Sequence, residues 1–209
     1  MILDLHTHSI RSDDGRAKVD NYCQWIRRKE LPIDGIVLTE HRQFDDQSDY
    51  RQLEDQYGLL ILKASEVETD FGHVLVYGVN DDMLNAFDFG RIDNPLELVL
   101  DSAKRSGGFA APCHPGRKNV GLFAHYDRRG PVAGVEVVEI YNGGSIPGED
   151  ERSEAEAARH GYRGIGGSDS HIVSRVGSCA TEFDDDIKDI DGLVSALMSG
   201  RYEARSWRT

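Results

Sequence analysis

Strand-like segments alternate with helical ones along almost the whole chain, and this alternation limits the fold more than any other feature. Short runs rich in β-branched residues occur at "MILDL", 35–40, 58–69, 73–79, 108–113, 134–142, 162–169 and 179–183. Amphipathic stretches suited to helices fall near 19–30, 49–57, 95–106, 150–161 and 188–200. Asn94 followed by Pro95 reads as a helix start, with Pro95 at the first helical position. Leu96, Val99, Leu100 and Ala103 then make one apolar stripe. Such alternation predicts a parallel α/β architecture. No repeat, low-complexity tract or Gly/Ser/Pro linker divides the chain, so residues 1–209 are expected to form a single domain. Both a barrel and an open doubly wound sheet satisfy the pattern. Polar residues fall at the C-terminal ends of nearly every strand, the functional rim of a barrel, which favours the barrel. An eight-stranded barrel usually needs about 250 residues, so this one should be small or distorted.

Composition narrows the partners. The net charge is -13, from 37 acidic and 24 basic residues. That field disfavours long nucleic acid unless cations intervene. Cys23, Cys113 and Cys179 are an odd number without a close pair, as in a reducing compartment. No basic-then-apolar leader and no apolar run of membrane-spanning length is visible, so no membrane partner and a cytoplasmic location are expected.

The polar strand ends carry the chemistry. "DLHTHSIRSDDG" supplies His6 and His8, two apart and therefore on one face of a strand. Imidazoles so paired suit a borderline metal. "LTEH" supplies Glu40 and His41. "SEVETDFGH" supplies Glu66 and Glu68, then His73. "CHPGRK" supplies His114, and "GSDSH" supplies Asp169 and His171. One polar strand end is ordinary loop chemistry. The same pattern at five strand ends points to a site holding more than one metal, with Glu66 a natural bridge.

The ordered series "HTHS…SDDG", "TEH", "SEVETDFGHVLVYG", "CHPGRK", "EIYNGG" and "GSDSH" closely resembles the PHP (polymerase and histidinol phosphatase) family over essentially the whole chain. The resemblance implies a small distorted (β/α)7 barrel with two or three divalent metal ions at the C-terminal ends of its strands. Carried over by motif, His6 and His8 would bind one ion with Asp169. Glu66 would bridge to a second held by His73 and His114, and Asp13, His41 and His171 would hold the third. Manganese, zinc and iron all suit such ligands. The family often has "TDH" where this chain has "TEH", so Glu40 is expected to orient ligands rather than bind metal. Either Asp13 or Asp14 can be the first-motif carboxylate. Spacing favours Asp13, with Asp14 orienting the loop. Glu139 is expected to hold metal, orient water or bridge within the rim, and Asp4 and Glu68 are lesser candidates of the same kind.

The implied reaction is hydrolysis of a phosphomonoester by metal-activated hydroxide. Asp169 and His171 are candidates to assist proton transfer, and no serine or cysteine nucleophile is required. Arg117 is the first candidate to grip phosphate, followed by Arg42 and Arg175; Lys118 lies in the same motif. A small phosphorylated substrate is expected ahead of a nucleotide or oligonucleotide end, on which an exonuclease or phosphodiesterase would act. A C–N or lactone hydrolase would want a carbamylated lysine bridge. Lys63, the nearest, is expected to face away from Glu66. A noncatalytic metal-binding domain is disfavoured by the full ligand set.

Overall fold

The computed structural model describes residues 1–208. Among the described residues, nine strands run β1 Ile2–Thr7, β2 Gly35–His41, β3 Leu60–Thr69, β4 Gly72–Tyr77, β5 Phe109–Pro112, β6 Val137–Asn142, β7 Arg163–Gly167, β8 Cys179–Phe183 and β9 Tyr202–Ser206. The helices are α1 Val19–Arg28, α2 Arg51–Tyr57, α3 Asp81–Ala86, α4 Leu96–Arg105, α5 Leu122–Arg129, α6 Glu149–His160 and α7 Ile190–Ser199. Among the described residues, no helix is long and apolar enough to cross a membrane.

Seven strands form one curled sheet in the order β5-β4-β3-β2-β1-β8-β9, and β6 and β7 form a separate parallel pair. Strands β1, β2 and β3 are parallel neighbours. The pair β6–β7 covers the open side, with β6 beside β5 and β7 packed on β1, β8 and β9. On that side a bridge between Thr7 and Ser170 joins β1, where the His8 N–H donates to the Ser170 carbonyl at 2.9 Å. The result is a partly open half-barrel flanked by helices.

This differs from a regular (β/α)7 barrel, and the chain's connections explain why. Only Asp70 and Phe71 separate β3 from β4, whereas a parallel crossover needs roughly a dozen residues. The two strands therefore pair antiparallel, and β4 pairs antiparallel with β5. Pro95 sits one place earlier than expected, capping α4, whose first N–H (Leu96) donates to Asp70 Oδ1 at 3.0 Å.

The interior is a cluster including Leu3, Leu5, Leu62, Leu75 and Ile165, closed from below by Leu193 and Leu197 of α7. In β1 the register to β2 shifts between Asp4 and Thr7, which adds one residue on the β1 side. Such a bulge re-aims side chains. Leu3 and Leu5 belong to the interior core, and beyond the bulge His6 and His8 turn into the same interior. There is no room for a side chain on β7 opposite them: a Cβ at Gly167 would lie 2.4 Å from His6 Cβ and 2.8 Å from Glu139 Oε1. Gly167→Ala is expected to cost about 1–3 kcal/mol, the usual price of overpacking, read as a lower midpoint in denaturant. An unchanged midpoint would contradict this close approach.

Candidate metal centre

Four donor atoms from three strand ends converge at the top of the interior. His6 Nε2 and His8 Nε2 are 3.0 Å apart. Each lies 3.1 Å from Glu66 Oε2 and 3.4 Å from Asp169 Oδ1. The other ring nitrogens are already engaged: His6 Nδ1 with Glu139 Oε1 at 3.0 Å, and His8 Nδ1 with Ser12 Oγ at 3.2 Å. The Ser12 hydroxyl donates to Glu40 Oε2 at 2.6 Å, so it accepts from His8. With Nδ1 engaged in each ring, both Nε2 atoms face one point, where a metal cation or protons shared with the facing carboxylates must offset their repulsion. Ligands of one tetrahedral ion with bonds of about 2.0–2.2 Å stand roughly 3.3–3.6 Å apart, close to the 3.0–3.4 Å seen here. The donor set thus fits a divalent ion in chemistry and in size.

Glu66 presents its second oxygen to a neighbouring group. Oε1 lies 2.7 Å from His73 Nδ1 and 3.2 Å from His114 Nε2. A third group gathers His8, His41 and His171, with His41 Nε2 and His171 Nε2 3.2 Å apart. His171 Nδ1 donates to the Asp169 carbonyl at 3.0 Å, which frees its Nε2. The structure places Asp14 beside this group, with Oδ2 3.1 Å from His171 Nε2. Asp13, expected there, instead ion-pairs with Arg42 at 2.5 Å. The two aspartates are neighbours in one loop, and a one-residue choice inside a loop has no period to decide it.

Supporting groups hold the ligands. Glu139 takes the His6 ring on one oxygen and the His114 N–H, at 2.8 Å, on the other. Glu40 accepts from the Ser9 and Ser12 hydroxyls, each at 2.6 Å. Asp4 accepts from the N–H groups of Ser168 and Gly177, each at 2.8 Å, and so ties β1 to the loop carrying Asp169. Ser9, Ser12, Asn142 and Cys113 were not expected at the site. The serines of "HTHSIRS" were visible as a pattern, but their partners were not. His114 and Asp169 have φ of 32° and 50°, left-handed values that are costly for non-glycine residues. Such strain collects where geometry serves function.

Among the arginines, Arg117 donates to Asp169 Oδ2 at 2.6 Å and Asn142 Oδ1 at 3.1 Å, at the edge of the ligand cluster. Arg42 spends its guanidinium on Asp13 and on Glu68 at 2.6 Å. Arg175 is exposed and lines an open cleft of about 670 Å³ beside Trp207 and Ile146. Lys63 donates to the Ser48 carbonyl at 2.9 Å and takes no part in the cluster.

Without ions, protons balance this charge. Burial opposes charge on His6, yet Glu139, Asp169 and Glu66 hold its pKa well above the usual value. Burial likewise opposes charge on His8, and hydrogen bonds to Asp169 and Glu66 push it up to about 9. Burial disfavours ionised Glu66 and Asp169 too, but the facing imidazoles hold both well below the usual carboxylate range. Burial lowers His114 and His171. A histidine with a raised pKa stabilises the fold fully below its unfolded value of 6.5, and that stability is lost as pH rises through about 9. The chelated protein should therefore melt at falling temperature across this window. Ions replace the protons, so the melting gap between loaded and chelated protein should widen with pH. A constant gap would contradict the assignment.

The fold and part of the sequence have known counterparts. Residues 147–202 match the family model described as PHP-associated. No curated protein sequence matches the chain. PsfC from Pseudomonas syringae is similar in structure, with a TM-score of 0.68, 18% identity and coverage of 98% of this chain and 91% of that one. A Bifidobacterium adolescentis protein whose proposed activity is metal-dependent phosphoesterase has a TM-score of 0.61, 18% identity and coverage of 94% and 95%. The lesion-specific endonuclease Q of Pyrococcus furiosus has a TM-score of 0.66 and 15% identity; the likeness covers 97% of this chain and 57% of the endonuclease. These likenesses show that the chain shares its fold with these solved structures.

Proposed function

We propose that residues 1–209 form a single PHP-type unit that hydrolyses phosphoesters with two or three divalent ions, manganese, zinc or iron. The observation that carries this is the meeting of His6, His8, Glu66 and Asp169 donor atoms, with Glu66 reaching on to His73 and His114. His41 and His171, with Asp14 in place of Asp13, form the third position. Ions bound there would supply Lewis acidity, lowering the pKa of water and offsetting charge on phosphate oxygens.

The chain's own residues do the rest. Glu139, Ser12 and Glu40 fix the imidazole tautomers so that lone pairs face inward. Arg117, beside Asp169, is placed to grip a phosphate oxygen in the fork geometry suited to it. Asp169 and His171 are at hand for proton movement at the site's edge.

A nucleotide or oligonucleotide end is the substrate class we take first, supported by the likeness in fold to endonuclease Q. A small phosphomonoester is the second reading, supported by the net charge of -13, which repels long polyanions. The test is a metal-by-substrate panel. Metal-free protein is reloaded with Mn²⁺, Zn²⁺ or Fe²⁺ and offered phosphomonoesters, phosphodiesters and short end-labelled DNA or RNA. Shortening of labelled strands supports the first reading. Release of phosphate from monoesters alone supports the second. No turnover by fully loaded protein on any of them overturns both.

A further inference from the structure

Cys113 is the last apolar-looking residue before His114, and strand packing alone would account for its burial. Its surroundings ask for more. The sulfur lies 3.4 Å from Glu66 Oε1 and 3.4 Å from His114 Nε2. It also falls within 4.8 Å of donor atoms of His6 and Glu139, in a group whose three members are all buried. The other cysteines have no such company: Cys23 is buried in the α1 core, and Cys179 meets only the Ser206 hydroxyl at 3.5 Å.

A thiol hydrogen bond to Glu66 explains one of the two short approaches. It does not explain why the sulfur is equally near His114 Nε2, the ring atom that also faces Glu66. A cation shared by Glu66, His114 and Cys113 accounts for all three atoms. Bonds of about 2.3 Å to sulfur and about 2.0–2.1 Å to imidazole set the two ligands roughly 3.5 Å apart at a tetrahedral angle.

We propose that Cys113 is a ligand of the metal position built on Glu66 and His114, and that it gives this position a preference for thiophilic ions, zinc or iron(II), over manganese. The inference rests on the metal-centre reading above. As the sulfur–metal bond forms, the S–H bond breaks and its proton leaves to solvent. Nothing is oxidised or reduced. A soft thiolate among hard carboxylate and borderline imidazole donors shifts the choice of ion in this direction.

The test loads the full chain with cobalt(II) and cadmium(II) and reads sulfur-to-metal charge-transfer absorption. X-ray absorption of zinc-loaded protein then looks for a sulfur scatterer at about 2.3 Å. Wild type and Cys179→Ser should show both signals, and Cys113→Ser and Cys113→Ala should lack them. Thermal melts check that each variant is folded. In zinc–manganese competition, Cys113→Ser should lose roughly 10- to 100-fold of its preference for zinc. Bound metal without sulfur signals in wild type overturns the role of Cys113 alone, as does their persistence in Cys113→Ser. Absence of any bound metal in wild type overturns the premise as well.

Discussion

Glu66→Gln should empty the centre and reduce phosphoester turnover by ~10³-fold or more, the scale of losing a central electrostatic group in a buried site. The two oxygens of Glu66 face five imidazoles: His6, His8 and His41 at 3.1 Å, His73 at 2.7 Å and His114 at 3.2 Å. Glutamine keeps the volume but removes the charge and one acceptor. Its amide would aim N–H donors at lone pairs already spoken for. The expected result is loss of bound metal by elemental analysis, with the circular dichroism of wild type retained. Metal content equal to wild type would contradict the bridging role.

Asp4→Ala should be the most damaging change to stability. The side chain is fully buried and accepts from the N–H groups of Ser168 and Gly177 at 2.8 Å and of His6 at 3.3 Å. The His6 N–H lies on β1 itself, and those of Ser168 and Gly177 lie at the two ends of the connection from β7 to β8. Alanine leaves buried donors without acceptors and opens the seam where β7 and the loop after it meet β1. A loss of about 3–5 kcal/mol is expected, comparable to breaking one partner of a buried charged network. For a chain of this size that corresponds to a fall of roughly 6–20 °C in Tm. A shift of a degree or less would mean that β1 and this connection hold together without this carboxylate.

Much of the ligand set was legible because it repeats. His6 and His8 share a strand face, Glu66 lies on a β-branched strand, and His114 and Asp169 follow short apolar runs. Periodicity locates such residues even when it says nothing of their partners. The parts that were not legible depend on loops and on single-residue shifts. The β1 bulge, which turns His6 and His8 inward after Leu5, leaves no mark on the alternation itself. The Asp13–Asp14 choice hangs on one loop turn. Helices α3 and α5 and strand β9 were not expected from the sequence. The antiparallel β3–β4 pair was implicit in the short "TDFGH" link, yet a strand–helix rhythm elsewhere pointed to a regular barrel. The surroundings of Cys113 leave no mark in the sequence, because only the fold brings Glu66, 47 residues away, to its sulfur.

The central claim is that one chain holds several ions at once. Elemental analysis of protein dialysed against limiting manganese, zinc or iron measures it directly. Two or three equivalents per chain are predicted for wild type, with at least one lost in His8→Ala, whose Nε2 faces both Glu66 and Asp169. One equivalent or none in wild type, or an unchanged count in His8→Ala, would contradict the account.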